Sequence, residues 1–238
     1  MEELLAELKG KLLEAAKDNL TAIVLYGSAA SGEYHKEHSD LNVLCVIERV
    51  GATDLEALHD PVAWWRKKGH PSPQFFTMAE LRASADIFAI ELLDMKERHR
   101  MLYGDDFFGE LKVPMNLHKQ QVERELRTNA LRLRQGILAI PPRDRVVIGL
   151  MDSSVSAFVV LFRHALIALG QPVPESRREI IEHIARLVGA SPDAFLAIFD
   201  VRQGKRKAAD LGAAETLKGF VALVERVAGE VDRRFAGC

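Results

Sequence analysis

The chain has 238 residues, of which 48% are hydrophobic and 28% charged, a balance that is ordinary for a globular protein of one large domain or two small ones. Its 32 basic and 34 acidic residues give a net charge of −2, which argues against a dedicated nucleic-acid binder because such proteins usually carry a basic excess. The two cysteines, Cys45 and Cys238, are too few for a disulfide framework, and the amino terminus has no signal-peptide pattern, so we expect a cytoplasmic protein.

The first third of the chain mixes helical and strand patterns. Leucines at helical spacing predict a helix over residues 2–17. A continuous apolar run predicts a short buried strand at 22–26, and a second strand is predicted over 40–47. A helix then follows over 54–68, and a third strand over 74–77.

The stretch from 80 to 103 fits two patterns. Apolar residues form a helical stripe along it, yet residues 87–93 also fit a buried strand. We predict a helix to about residue 86, then this strand, then a further strand that ends at residues 102–104. Residues 20–104 should therefore form a mixed sheet of four or five strands flanked by helices.

After a predicted linker at 105–116 the strand patterns disappear. Apolar spacing predicts five helices, at 122–137, 144–169, 175–188, 192–202 and 213–235. The fold class expected from this order is α+β or α/β, with an α/β domain at 1–110 and an all-α helical bundle at 117–238.

The most apolar segment lies within the second of these helices. Residues 155–169 are interrupted by Arg163 and His164, so we expect a buried core helix and no membrane span. The sequence is compatible with a homodimer as well as with a monomer.

One segment, LYGSAASGEYHKEHSDLNVLCVI at residues 25–47, carries a chemical pattern. Gly27 lets the backbone approach a ligand, Ser28 adds a hydroxyl donor, and a short helix starting near Ala29 would point N–H groups at a phosphate. Asp40 and Asn42 lie two apart on a predicted strand, so they share a face about 7 Å apart. Their oxygen atoms suit Mg²⁺ or Mn²⁺. A phosphate site beside a divalent metal is what phosphoryl or nucleotidyl transfer needs.

This segment resembles the DNA polymerase β superfamily of nucleotidyltransferases, whose signature is an apolar strand, Gly-Ser or Gly-Gly, a spacer, and Asp-x-Asp at the head of a second strand. The order of the two domains is similar to that of the aminoglycoside nucleotidyltransferases and related minimal nucleotidyltransferases. The resemblance implies that Gly27 and Ser28 hold the phosphates of an NTP. It also implies that Asp40 ligates Mg²⁺, and that an acceptor hydroxyl receives the nucleotide.

The chain departs from the family pattern at two places. Asn42 replaces the second metal carboxylate, and the predicted strand at 74–77 lacks the expected third carboxylate. Glu91 is the best remaining candidate for that group, as metal ligand or general base, with Asp94 behind it.

Two functions stay open on these residues. One is a Mg²⁺-dependent enzyme that moves an NMP group from an NTP to a hydroxyl of a small molecule or protein. The other is a nucleotide-binding or regulatory module of the same fold, with catalysis weakened by Asn42.

Two further groups of residues are read as solvated loops. His35 and His38 lack the third ligand that zinc requires. The basic residues at 202–207 would alternatively form a patch that attracts a triphosphate or an acidic acceptor.

Overall fold

A computed structural model describes residues 1–30 and 40–235, apart from the side chain of Ser28. The predicted loop that carries His35 and His38 lies outside the described residues. Two compact units are present, Met1–Met115 and a second that begins at Asn116.

Within its described residues, the first unit has four strands and five helices. The strands are β1 (Leu20–Tyr26), β2 (Asn42–Ile47), β3 (Gln74–Phe76) and β4 (His99–Tyr103). The helices are α1 (Glu2–Ala16), α2 (Ala52–Ala57), α3 (His59–Lys67), α4 (Met78–Ala83) and α5 (Ala89–Glu97).

The four strands form one mixed sheet in the order β3-β2-β1-β4, which confirms the predicted sheet. Strand β1 pairs antiparallel with both β2 and β4, whereas β3 runs parallel to β2. In this register Tyr26 lies opposite Asn42 on one side and His99 on the other. The three side chains therefore form a row across one end of the sheet.

Both faces of the sheet are covered by helices, which explains why its central strands are apolar along their whole length. On one face Leu25 packs with the buried leucines of α1 and with Trp65 of α3. On the other face Val24 and Leu44 pack with α4 and α5. Each fully buried leucine in these layers contributes roughly 1.5–3 kcal/mol to folding.

The strand predicted at 87–93 is wrong, because residues 84–88 form a turn and helix α5 begins at Ala89. Alanine, leucine, glutamate and methionine are strong helix formers, and they dominate α5. Ala89, Leu92 and Met95 are buried at helical spacing of three, so the helix covers the sheet with one apolar stripe. A run that is apolar at nearly every position cannot by itself distinguish a strand from such a helix.

The helix predicted over 54–68 is divided into α2 and α3 at Leu58. Pro61 lies in the first turn of α3. A proline has no N–H to donate to the carbonyl four residues earlier, and its ring crowds that carbonyl. A continuous helix would therefore be broken at this position.

The second unit contains only helices among residues 116–235, as predicted. They are α6 (His118–Ala139), α7 (Asp144–Ala168), α8 (Arg177–Val188), α9 (Asp193–Arg202) and α10 (Ala213–Phe235), with a short 3₁₀ turn at Ala208–Asp210.

Helix α7 is the central helix of this bundle and packs against α6, α8, α9 and α10. By length and composition alone this helix of 25 residues could cross a membrane, since its most apolar 18 consecutive residues have a mean hydropathy of 1.8. A helix that is surrounded by other helices is also apolar on all sides, because it packs against them in several directions. Phe158, Phe162 and His164 are buried in the bundle, and Nδ1 of His164 lies 2.9 Å from Nε2 of the buried His118 on α6. These contacts confirm the prediction of a buried core helix.

The close approach of β4 to β1 requires a glycine after β4. Gly104 has φ +77°, and a Cβ at this position would lie 2.1 Å from the backbone oxygen of Thr21. We expect Gly104→Ala to lower the free energy of unfolding by more than the roughly 1–2 kcal/mol that the left-handed backbone costs by itself. Gly109→Ala is the matched control, since a Cβ there meets nothing within 4 Å. Urea denaturation of the two variants checks this, and equal midpoints would contradict it.

Candidate functional site

Strand β1 ends in a tight turn at Gly27. This residue is exposed and has φ +79°, a backbone conformation that favours glycine. Residues Gly27–Ala29 form a 3₁₀ turn, which is closed by a hydrogen bond from Ala30 N–H to the carbonyl of Gly27 at 3.0 Å. The helix expected near Ala29 is thus a 3₁₀ turn as far as residue 30. The turn includes the backbone of Ser28, whose hydroxyl lies outside the described part of the chain.

Asn42 lies beside this turn because β2 begins opposite the last residue of β1. Tyr26 and Asn42 are paired, and a Cβ built on Gly27 would lie 3.2 Å from Nδ2 of Asn42. The side-chain amide of Asn42 therefore faces the glycine turn. The structure brings these two predicted site residues together, while their binding roles stay predictions.

Asp40 is exposed and precedes β2, which begins two residues later than the sequence pattern predicted. The strand cannot begin earlier because Tyr26 ends β1, so Asp40 has no paired residue opposite it. Its neighbour Leu41 is fully buried and donates its N–H to Nδ1 of His70 at 3.4 Å. Burial lowers the pKa of His70, and the negative charge of Asp40 opposes this effect, so the two side chains are electrostatic neighbours.

Glu91 approaches the same end of the sheet from the first turn of α5, where it is exposed. Burial raises the pKa of Tyr26 to about 12, and the negative charge of Glu91 adds to the increase. Glu91 is thus an electrostatic neighbour of Tyr26, the residue that is paired with Asn42 and precedes Gly27. Asp94 lies one turn further along α5.

A cavity of about 360 Å³ lies beside Glu91, between the sheet and helices α4 and α5. Gln74 lies on its wall, opposite Leu44 in the parallel pairing of β3 with β2. Most of the other wall residues are apolar, among them Phe76, Leu81, Phe88, Leu92 and Met95. Glu91 and Gln74 are therefore the polar groups of an otherwise apolar cavity.

A His–Asp pair lies on the other side of Tyr26. Nε2 of His99 is 3.1 Å from Oδ2 of Asp106, and its Nδ1 is 2.8 Å from the carbonyl oxygen of Met95. A hydrogen bond from the backbone N–H of Phe108 lowers the pKa of Asp106, and His99 adds to this effect. Because both ring nitrogens of His99 contact protein oxygens, this histidine holds the structure and does not offer a nitrogen to a substrate.

The residues around Gly27 suit one divalent cation better than two. In residues 1–30 and 40–235 no three His, Cys, Asp or Glu side chains form a group that could hold a metal ion. Asp40 supplies a carboxylate, whereas Asn42 offers one neutral carbonyl oxygen and turns its amide nitrogen, which cannot ligate a cation, towards Gly27. By their chemistry these two side chains could supply at most a few oxygen ligands to one Mg²⁺, so most of its ligands would have to come from a bound molecule or from water.

No protein-family model matches this sequence, and no curated protein does. A solved structure does match. Spectinomycin adenyltransferase AAD(9) from Enterococcus faecialis, in a structure with ATP and spectinomycin, superposes with a TM-score of 0.59 over 95% of this chain and 99% of that chain, at 13% sequence identity. The chain has the fold of a nucleotidyltransferase. The predicted fold class, a polymerase-β-like domain with a mixed sheet followed by a helical domain, is confirmed.

Three residues of the site were missed in the sequence. Tyr26 directly precedes Gly27, and this position was the available signal. Gln74 is recognisable only from the parallel register of β3, and no sequence signal connects His70 with Leu41.

The contact between Glu91 and Tyr26 can be tested by titration. Glu91→Gln should lower the pKa of Tyr26, because a nearby negative charge opposes formation of the phenolate. The pKa should stay above the ordinary tyrosine value of about 10, since burial is the larger cause. The ring carbon resonances of Tyr26, followed by NMR against pH, give the measurement. Asp94→Asn is the control, and equal shifts in the two variants would contradict the placement of Glu91.

Proposed function

We propose that the protein transfers an NMP group from an NTP to the hydroxyl of an acceptor. The observation that carries this proposal is the pairing of β1 with β2, which places the Gly27 turn beside Asn42 with Glu91 nearby. The fold supports it, because a nucleotidyltransferase solved with ATP superposes on nearly the whole chain.

The phosphates of the NTP would bind at the end of β1. Gly27 has no side chain to block them, and the backbone N–H groups of its turn, together with the Ser28 hydroxyl, are suitable donors. Asp40 would hold the Mg²⁺ that accompanies the triphosphate. When bound, this ion neutralises the phosphate charge and stabilises the charge that develops on the leaving group.

Glu91 is the proposed general base. The acceptor oxygen forms a bond to the α-phosphorus as the bond from that phosphorus to the pyrophosphate oxygen breaks, and the hydroxyl proton passes to the Glu91 carboxylate. Tyr26 remains protonated at neutral pH because its pKa is about 12. Its phenol can therefore donate a hydrogen bond to an oxygen in the site.

A second function is favoured by one observation, the neutral side chain of Asn42 beside the Gly27 turn. In this alternative the protein binds a nucleotide as a regulatory module and does not transfer it. Incubation with Mg²⁺ and each NTP, followed by mass spectrometry for pyrophosphate and nucleotidylated products, distinguishes the two. Nucleotide binding without either product, across a panel of acceptors, would support the module and overturn the enzyme.

The proposed setting is the cytoplasm, where thiols stay reduced. Cys45 is a buried free thiol on β2, and burial raises its pKa. It is thus an unreactive core residue and plays no part in the proposed reaction.

Asp40 should carry the metal-dependent part of nucleotide binding. Without a cation its carboxylate repels the triphosphate, so NTP should bind more tightly with Mg²⁺ than without it. Asp40→Ala should remove this difference, which we expect to be about tenfold or about 1.4 kcal/mol. Calorimetric titration with and without Mg²⁺ measures it. Asp105→Ala is the control, since Asp105 is exposed beyond the opposite end of β4. Equal Mg²⁺ effects in the wild type and Asp40→Ala would rule out the metal role.

Asn42→Asp should strengthen metal binding and increase turnover with generic acceptors. The change is nearly isosteric, and it adds a carboxylate that can bridge two cations. Because the side chain faces Gly27, the new charge should also weaken NTP binding when no metal is present. Mn²⁺ titration by electron paramagnetic resonance and a pyrophosphate-release assay give the two measurements. If Asn42→Asp changes neither while Asp40→Asn abolishes activity, Asn42 is not a weakened metal ligand.

A further inference from the structure

The cavity beside Glu91 has aromatic walls that continue to the protein surface. Phe76 and Phe88 meet edge to face, with ring centroids 6.3 Å apart. Phe88 is 41% exposed, although it is a large apolar residue. Both rings also line an adjoining hollow of about 360 Å³ next to Ser84 and Glu80. An apolar, aromatic-lined groove therefore runs from the surface to Glu91.

The size and lining of this groove determine which class of ligand it can bind. Its inner cavity of about 360 Å³ is at the lower end of the range that binds small ligands. Aromatic walls favour a flat apolar ring, which can stack or pack edge-on against Phe76 and Phe88. A sugar with many hydroxyls would lose hydrogen bonds to water against these walls, which do not replace them.

The polar groups of the cavity determine which functional group an aromatic ligand should carry. A carboxylate such as Glu91 accepts hydrogen bonds at several positions and repels anions. The amide of Gln74 can donate to or accept from the same ligand group. A hydroxyl satisfies both, because it donates its proton to Glu91 and accepts from Gln74.

We propose that this cavity is the acceptor subsite and that the acceptor is a small alcohol with an aromatic ring. The ring packs against Phe76 and Phe88, and the hydroxyl reaches Glu91, the proposed base. The identification as an acceptor rests on the proposed function, whereas the binding of an aromatic alcohol rests on the cavity alone. The bonds that form and break are those of the proposed transfer, with pyrophosphate as the leaving group.

Met95 gives a direct probe of the cavity, since it lines the wall and carries a methyl group that NMR can observe. With ¹³C-methyl methionine labelling, 2-phenylethanol should shift the Met95 signal in a saturable way. Phenylacetate and glucosamine at the same concentration should not, because the first is an anion and the second lacks an apolar ring. The buried Met151 of α7 is the internal control and should stay unchanged.

Two exposed neighbours provide matched variants. Phe88→Ala removes an aromatic wall and should weaken 2-phenylethanol binding by about threefold to tenfold. Ile87→Ala removes a more exposed apolar side chain, 58% accessible, that does not line the cavity, and it should leave binding unchanged. A silent Met95 signal, an equal response to glucosamine, or equal losses in the two variants would overturn the inference.

The test of the acceptor subsite and the test of the proposed function can fail independently. If NTP binds but 2-phenylethanol does not shift Met95, the acceptor assignment is wrong and the nucleotide site stands. If Met95 responds but the protein binds no NTP, the proposed function is wrong and the cavity remains a site for aromatic alcohols.

Discussion

The antiparallel pairing of Tyr26 with Asn42 determines the arrangement of the candidate site. A shift of β2 by one residue would turn every side chain to the other face, so that an apolar residue would lie beside Gly27 in place of the amide. Close packing of particular side chains opposes this shift, with Leu25 packed on the α1 side and Val24 on the α5 side. The apolar core thus fixes the relative positions of the polar groups at the strand ends.

Helix α5 also contributes to the arrangement of the candidate site, because it packs on the same sheet. Its buried residues, among them Leu92 and Met95, cover the face on which Val24 lies. Glu91 precedes Leu92 and therefore lies at the border of the covered area, where it is exposed and still affects Tyr26. A strand in this position would have left that face uncovered and would not have directed a carboxylate to the end of β1.

The parts of the fold that the sequence predicted are those with one clear periodicity. The helices after Asn116 agree with the apolar spacing to within a few residues, and the apolar runs of β1 and β2 were recognised because turn residues bound them. The segment at Glu91 was misassigned since almost every neighbour is apolar, a pattern that a covering helix and a buried strand share. The cavity depends on the parallel pairing of Gln74 with Leu44, which is a long-range contact and leaves no local pattern.

In the proposed reaction, the charge of the site connects metal binding with the choice of acceptor. Two divalent ions about 4 Å apart repel each other by roughly 16 kcal/mol at an effective dielectric constant of about 20, because each pair of unit charges contributes about 4 kcal/mol. A neutral amide at Asn42 would offset none of this repulsion, so these residues would favour one nucleotide-bound cation over two. In the proposed reaction, a site without a second cation could not lower the pKa of the acceptor hydroxyl through it, and proton removal would then depend on Glu91. In the proposed reaction, an acceptor whose hydroxyl lies against that carboxylate and whose ring packs against Phe76 and Phe88 would meet this requirement through position alone.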